Sequence, residues 1–371
     1  MADLRTTLCG IDLRNPFVLA SGPLSHNGEA LLRAYRAGAG AVVTKTICED
    51  ATRNPVPHIA RFSHGLLNGE QWSDLPARDW IEREIPLAKD GGATVIASLG
   101  LGLPHVKALA HQLADAGADA LEICSYDAEE MGPMVAEAVR NVRIPVLAKI
   151  SGNWSNAAAT ACECVASGAA GITAIDSIGP VLRFDIEKRE PVLGSGVGWL
   201  SGAAILPISL RVVADIARSV QVPIVGTGGI RTEDECVEML MAGAHAIGLC
   251  SVLMTEGLSV LDRLIISLEW RLADLGYSSA REVIGAGLAG LERLEASPRL
   301  SSPGRPNERL LVFAWDKKRC TECGICMSVC PYEARTEPDC VDFVTCRFCG
   351  LCTSSCPAGA LSLQSANEES A

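Results

Sequence analysis

Val225 to Ser251 reads VGTGGIRTEDECVEMLMAGAHAIGLCS. A short apolar run from Pro223 ends in Gly-Thr-Gly-Gly, Arg231 to Gly243 predicts a helix, and Ala246 to Ser251 is a second apolar run ending in Cys-Ser. Two successive strands therefore stop at loops that can turn backbone N–H groups on one anion, with Gly228 and Gly229 allowing close approach. In a barrel of alternating strands and helices, the loops after strands seven and eight grip a phosphate at this place.

The same unit recurs along the chain. A helix-like segment ends in a small-residue turn containing Gly, and an apolar run follows, as in AGAGAVVTKT, AGADALEICS, SGAAGITAID and AGAHAIGLCS. Eight such runs begin near Phe17, Ala41, Thr94, Ala120, Pro145, Gly171, Pro223 and Ala246. Most are about 25 residues apart, the length of one strand plus one helix. Continuous apolar runs suit strands buried on both faces, and Gly suits the position just past a helix end. The pattern predicts an α/β chain with a closed (β/α)8 TIM barrel over residues 1–296, rather than an open doubly wound sheet. Two wider gaps, Ile47 to Gly92 and Ser177 to Val222, read as insertions after strands two and six, on the face where barrel enzymes do chemistry. Ser21, Lys45, Ser98, Ser125, Lys149 and Asp176 each fall at or just past the C-terminal end of a predicted strand.

A Ser-, Pro- and Gly-rich linker, SPRLSSPGRPN, is expected at residues 297–307. Beyond it, residues 308–371 carry C-x2-C-x2-C-x3-C-P twice, at Cys320, Cys323, Cys326 and Cys330 and again at Cys346, Cys349, Cys352 and Cys356. This is the pattern of a small two-cluster ferredoxin-like α+β domain. Three closely spaced thiolates hold three corners of one cubane, and the fourth Cys of each run reaches the other cluster. Cys320, Cys323, Cys326 and Cys356 should therefore hold one 4Fe-4S cluster, and Cys346, Cys349, Cys352 and Cys330 the second; the C-x3-C-P endings suit clusters better than paired zinc sites. Cys340 stands outside both runs, and Cys9, Cys48, Cys162, Cys164 and Cys236 read as small apolar fillers.

The 371 residues carry a net charge of -12 and show neither a basic patch nor a basic amphipathic helix, which argues against nucleic-acid and membrane partners. The opening MADLRTTLCGIDLRN is too polar for a signal peptide. Of 16 cysteines, nine crowd after Arg319 at metal-ligand spacing, which points to a reducing, cytoplasmic compartment. VIGAGLAGL, from Val283 to Leu291, has the glycine spacing of a dinucleotide fingerprint, but a helical start precedes it and the linker soon follows. It is expected to be a glycine-bearing end of the last barrel helices.

ASGP at Ala20, VTKT at Val43, LLN ending at Asn68, ADALEI at Ala118, AK at Ala148, LSGAAILPISLR at Leu200, TGGI at Thr227 and LCS at Leu249 together resemble the dihydroorotate dehydrogenase superfamily, with the strongest likeness to the pyrimidine-reducing part of dihydropyrimidine dehydrogenases. The resemblance runs roughly from Leu13 to Leu291. It implies a bound FMN that exchanges a hydride with a ring C=C bond. By matching position it implies that Ala20, Ser21, Gly22, Lys45, Thr46, Ser98, Lys149, Ser177, Ser201, Gly202, Gly228, Gly229, Cys250 and Ser251 hold the flavin, and that Asn68, Asp176 and Ser177 meet the substrate. Lys149 would set its ammonium against the negative edge of the reduced flavin.

Two departures from the family pattern bear on chemistry. Where the family carries an Asn-x-Ser-Cys-Pro-type stretch with the acid-base residue, this chain has ALEICSYDAEEMGPM and a shortened loop. Counted without a gap, Asp127 takes the acid-base position; with one gap, Cys124 or Ser125 does, and Tyr126 and His64 are further candidates. An unperturbed Asp, with a pKa of about 3.9, is a poor acid at neutral pH, and Asp127 could equally cap the helix that starts at Ala128. After strand six, Asp176 replaces an Asn. A carboxylate only accepts hydrogen bonds, so the substrate is expected to be richer in N–H donors or positive charge than uracil or orotate. Trp72, Trp154 and Trp199 could wall a planar ring, and His26 could border the pocket.

Together these readings predict an oxidoreductase acting on a CH–CH bond of a small cyclic substrate, with Asp127, Cys124 and Lys149 as catalytic candidates. Electrons would pass between the clusters and FMN. With no NAD(P) domain in the sequence, a separate NAD(P)H-dependent flavoprotein subunit or a ferredoxin is implied, and a homo-oligomer is expected. The alternatives are an electron-transfer subunit without ring-reducing activity and a reductase of some non-pyrimidine unsaturated substrate.

Overall fold

The computed structural model describes residues 1–296 and 311–365, and the chain divides into two compact units, Met1–Leu294 and Glu295–Ala371. The linker expected at 297–307 lies outside the described residues.

Eight parallel strands close the barrel of the first unit: β1 (Phe17–Leu19), β2 (Ala41–Val43), β3 (Val95–Leu99), β4 (Ala120–Ile123), β5 (Val146–Ser151), β6 (Gly171–Asp176), β7 (Ile224–Thr227) and β8 (Ala246–Leu249). Each pairs with the next in sequence, and β8 pairs with β1. Each begins within one residue of the start expected from its apolar run. Helices α1 (Gly28–Arg36), α2 (Ile85–Asp90), α3 (Leu103–Asp115), α4 (Ala128–Asn141), α5 (Ala157–Ala166), α6 (Leu206–Ala217), α7 (Glu233–Met241) and α8 (Val260–Asp274) follow in alternation. Both faces of the strands are covered, which is why Phe17, Val18 and Leu19 are all apolar and all fully buried.

Helix α7 shows how the repeat is punctuated. Thr232 caps its start and Glu235 reaches back to the cap backbone, so the T-E-D-E run is a capping box. At its far end Gly243 has φ +108, and a Cβ there would stand 2.4 Å from Ala217 Cβ. Left-handed backbone and lack of room both require glycine, and Gly38, Gly117 and Gly168 hold the matching places in three other repeats.

Below the barrel, an antiparallel hairpin of Thr6–Leu8 and Ile11–Leu13 closes the N-terminal end. Its Leu8 and Leu13 pack with Val18, Val43, Ile96, Leu147 and Val225 from the barrel interior. Above the barrel, the two insertions do not act as separate loops. Their strands interleave into one four-stranded antiparallel sheet in the order Ile178–Val181, Gly198–Ser201, Gly65–Asn68, Ile59–Phe62. The central pairing sets Trp199 opposite Asn68 and Ser201 opposite Leu66, so this roof carries polar residues from both insertions over the mouth.

The glycine-rich VIGAGLAGL follows a 3-10 turn at Ala280–Val283, not a strand, and the N–H groups of Gly285 and Gly287 bond to Leu240 and Met241 at the end of α7. Cys48, Cys164 and Cys236 are buried as expected of fillers, but Cys162 is exposed on α5, where its thiol meets the Ser219 carbonyl.

In the second unit, β9 (Leu311–Trp315) and β10 (Leu361–Ser365) pair antiparallel around two short helices, α9 (Ile325–Ser328) and α10 (Leu351–Ser354). The two cysteine runs have the same backbone. Glu322 and Phe348 sit at φ 55 and 52, and Gly324 and Gly350, which start the helices, at φ 73 and 79.

No helix among the described residues is long and apolar enough to cross a membrane.

Candidate active site

Two cavities meet under the roof. The larger, about 750 Å³, runs from the loop after β1 (Ala20, Ser21, Gly22) past Lys149, Asp176 and Ser177 to the loops after β7 and β8 (Gly228, Gly229, Cys250, Ser251), with Ser201 and Gly202 from the roof. Its remaining walls are largely apolar, among them Ile59, Leu66, Ile175, Ile205 and Ile230. The second, about 480 Å³, is lined by Lys45, Thr46, Glu70, Gln71, Trp72, Tyr126 and Trp199. Six residues face both: Ser21, Gly22, Asn68, Lys149, Asp176 and Ser177.

The larger cleft suits the flavin implied by the sequence resemblance. Gly229 (φ +86) would place a Cβ 2.7 Å from the Leu206 backbone N, and at Gly22 a Cβ would meet Cys250 Sγ at 2.7 Å, so the cleft floor tolerates no side chain at either place. The Thr227 hydroxyl is buried there with no protein partner. A long planar ligand with a phosphate end fits that combination of apolar walls, bare backbone and one unused donor.

Charge in the smaller chamber is paired. The Lys45 ammonium bonds to the Glu70 carboxylate, with side chains only 8% and 9% exposed, and His58 Nε2 lies 3.7 Å from the same carboxylate. Lys149 Nζ lies 3.4 Å from Asp176 Oδ1. Trp72, Tyr126 and Trp199 stand as a row of rings, with centroids 5.2 and 5.3 Å apart, and Trp154 Nε1 donates to the Tyr126 carbonyl at 3.2 Å. Tyr126 is 57% exposed; the desolvated part of its hydroxyl, with Asp176 nearby, raises the phenol, which keeps its proton at neutral pH.

In the second unit, Cys330, Cys346, Cys349 and Cys352 line one cavity of about 320 Å³. No three His, Cys, Asp or Glu among the described residues converge on a single-ion site. Thiols spread around a cavity suit a polynuclear cluster, and the set combines three cysteines of the second run with the fourth of the first. Backbone N–H groups already address the sulfurs: Phe348 N lies 3.4 Å from Cys346 Sγ and Ala360 N 3.3 Å from Cys356 Sγ. The Ala360 contact is the main reason the Cys356 thiol lies below its ordinary value.

A family model described as dihydroorotate dehydrogenase matches residues 3–71 and 99–272. The chain belongs to that family. It is thereby a flavoprotein oxidoreductase acting on a CH–CH group. A second model, described as a 4Fe-4S binding domain, matches residues 313–336, which contain the first cysteine run. Among curated relatives named dihydroorotate dehydrogenase B (NAD(+)), catalytic subunit, the chain is 32% identical to that of Methanothermobacter thermautotrophicus over 299 residues, covering 76% of this chain and 97% of the relative. It is 33% identical to that of Thermoplasma acidophilum over 303 residues (78% and 100%) and 34% identical to that of Pyrococcus abyssi over 301 residues (77% and 99%). Nearly a quarter of this family member therefore lies outside the stretch it shares with those relatives.

Eleven of the expected flavin residues line the larger cleft, namely Ala20, Ser21, Gly22, Lys149, Ser177, Ser201, Gly202, Gly228, Gly229, Cys250 and Ser251. Lys45 and Thr46 face the smaller chamber instead. Ser98 reaches neither cavity: it is fully buried, its hydroxyl 3.2 Å from Glu122 Oε1 and 3.1 Å from Thr46 Oγ1. Cys124 is held a layer below the chamber, 3.7 Å from Thr46 Oγ1, and burial pushes its thiol up to about 12. Asn68 and Asp176 face both cavities, but the Asn68 side-chain oxygen already accepts from Glu70 N at 2.7 Å.

Asp127 lines neither cavity, contrary to the ungapped expectation. Its exposed carboxylate accepts from Glu129 N at 2.9 Å and caps α4, because a short acceptor just before a helix is drawn to the unsatisfied N–H groups there. Asp127→Ala should therefore cost about 1 kcal/mol in a denaturant melt and leave turnover within twofold. A large loss of turnover at unchanged stability would restore Asp127 to the chemistry. His26 is engaged with the Pro23 carbonyl, and His64 lines a separate cavity that also reaches Ser251. Glu70 and His58 were not singled out in the sequence. They flank the hairpin Ile59–Phe62 and Gly65–Asn68, and only its register, which pairs Ile59 with Asn68, brings them together.

Proposed function

We propose that this protein adds or removes the two hydrogens of a CH–CH bond in a small dihydropyrimidine-like ring, with FMN in the larger cleft, the ring in the smaller chamber and two 4Fe-4S clusters in the second unit. The observation that carries this reading is the wall of six residues shared by the two cavities, through which a ring in the chamber would lie against a flavin in the cleft. FMN supplies or accepts the hydride at the ring carbon. Ser201, Gly202, Gly228, Gly229 and Ser251 would hold it, Lys149 would supply positive charge beside it, and Trp72, Tyr126 and Trp199 would stack on the ring.

Proton exchange at the adjacent ring carbon falls to Tyr126. Its hydroxyl is protonated at neutral pH and it lines the chamber, whereas Asp127 and Cys124 line neither cavity. Both chamber lysines are already paired with carboxylates, so a substrate carboxylate would compete with Glu70 or Asp176. An uncharged or N–H-rich ring meets no such competition. The relatives' names include NAD(+) and the term catalytic subunit, which supports a separate NAD(P)H-dependent flavoprotein subunit as electron partner; a ferredoxin is the other candidate. Cytoplasmic location and self-association complete the reading.

The test is anaerobic. The photoreduced protein is mixed with uracil, thymine, orotate and aminated analogues, and flavin absorbance is followed. Recovery with an uncharged or aminated ring, slowed about 10²-fold in Tyr126→Phe and shifted toward uracil in Asp176→Asn, is the expected result. Silence from every ring, with a simple electron acceptor still working, would overturn ring reduction and favour the electron-transfer subunit.

A further inference from the structure

The two cysteine runs are related by a shift along the chain that sets Cys320 on Cys346, Cys323 on Cys349, Cys326 on Cys352 and Cys330 on Cys356. Continued past the prolines, the same shift sets Ala334 on Ala360 and Arg335 on Leu361. Both of the last positions are buried, at 5% and 6% exposure. Where one half of the domain buries a hydrocarbon, the other buries a cation.

Arg335 is only partly accounted for by protein. Nη1 donates to the Pro338 carbonyl and the guanidinium carbon lies 4.7 Å from the centre of the Phe313 ring, but buried Nε and Nη2 have no partner. The side chain lines the cavity shared by Cys330, Cys346, Cys349 and Cys352. A buried cation with unused donors is costly unless an anion faces it. A 4Fe-4S cluster on four thiolates is such an anion, dianionic when oxidised and trianionic when reduced.

We infer that Arg335 donates hydrogen bonds to the cluster held by Cys330, Cys346, Cys349 and Cys352 and raises its reduction potential above that of the other cluster, where Leu361 stands in the matching place. The inference rests on the two-cluster reading. The step is a one-electron reduction from the dianion to the trianion with no proton taken up, and the nearby cation favours the more negative product. Electrons entering the domain therefore collect on the Arg335 side. Both clusters would sit in one small domain, so removal of the charge should lower both potentials, but unequally.

The experiment is a reductive titration of the full chain followed by electron paramagnetic resonance, after iron analysis. About half the iron expected for two cubanes in the wild type would remove the two-cluster reading itself, separately from any role of Arg335. With full iron, Arg335→Leu should lower one midpoint by at least about 59 mV, a tenfold change in occupancy for a one-electron couple, and the other by clearly less. Arg335→Lys, which keeps the charge and loses the planar donors, should shift the same midpoint by a smaller amount. If Arg335→Leu fails to retain iron, Arg335→Lys and Arg335→Gln carry the comparison. Unchanged midpoints in iron-complete variants, or equal shifts in both clusters, would overturn the assignment.

Discussion

Replacing Lys149 with methionine should slow substrate-dependent flavin reoxidation by about 10²- to 10³-fold, the usual loss when one electrostatic donor at a reacting centre is removed. The side chain leaves the end of β5 with 11% exposure and faces both cavities. Burial alone would push its ammonium down, but the carboxylates of Asp176 and Glu122 outweigh that and hold its pKa above the ordinary lysine value. The group is therefore charged throughout the neutral range. Because the folded value is the raised one, the associated stability is complete below the unfolded lysine value of about 10.4 and is lost only as pH rises through the folded value. Methionine keeps the length and packing of the stem, and the cup at Gly228 and Gly229 is untouched, so flavin content should survive. Stopped-flow rates within threefold of wild type would remove Lys149 from the chemistry.

Glu70→Ala should cost about 3–5 kcal/mol, because it leaves the Lys45 ammonium buried without its carboxylate. For a chain of this size that corresponds to a loss in Tm on the order of 10 °C. The pair lies beneath the roof, with His58 on the second oxygen, and Glu70 N also bonds the Asn68 side chain. The effect should therefore extend to the roof as faster amide exchange over Gly65–Asn68. The double variant Lys45→Met, Glu70→Leu, with no charge left to desolvate, should recover most of the loss. If Glu70→Ala alone melts like the wild type, water reaches Lys45 and the pair is not structurally important.

The barrel was legible because its strands are covered on both sides: each is a largely apolar run followed by a helix, so the alternation survives in the bare sequence. The phosphate end of the cleft was legible for a related reason, since Gly228 and Gly229 are required by backbone conformation and close packing. The chamber was less so. Its walls draw on strands such as Gly65–Asn68 and Gly198–Ser201, too short to announce themselves, and they find partners far away in sequence. The loop after β4 shows the sharpest limit. Cys124, Tyr126 and Asp127 lie within four positions, and sequence spacing alone could not say that one is tucked beneath the chamber, one faces it and one is claimed by a helix terminus. Lys45 was visible as a cation at the mouth, but its neutralisation by Glu70 was not.

The interleaved roof has a consequence for how this enzyme family can diversify. Each insertion contributes an edge strand and a central strand, and the seam between them, Trp199 against Asn68 and Ser201 against Leu66, is made of backbone bonds that neither insertion can satisfy alone. A change of length in one would shift register in the other and turn its chamber-facing residues outward. The two segments therefore form one heritable module. Grafting a relative's specificity onto this scaffold would require both to be transplanted together, and a chimera that exchanged only one would lose the roof before its new substrate preference could be measured.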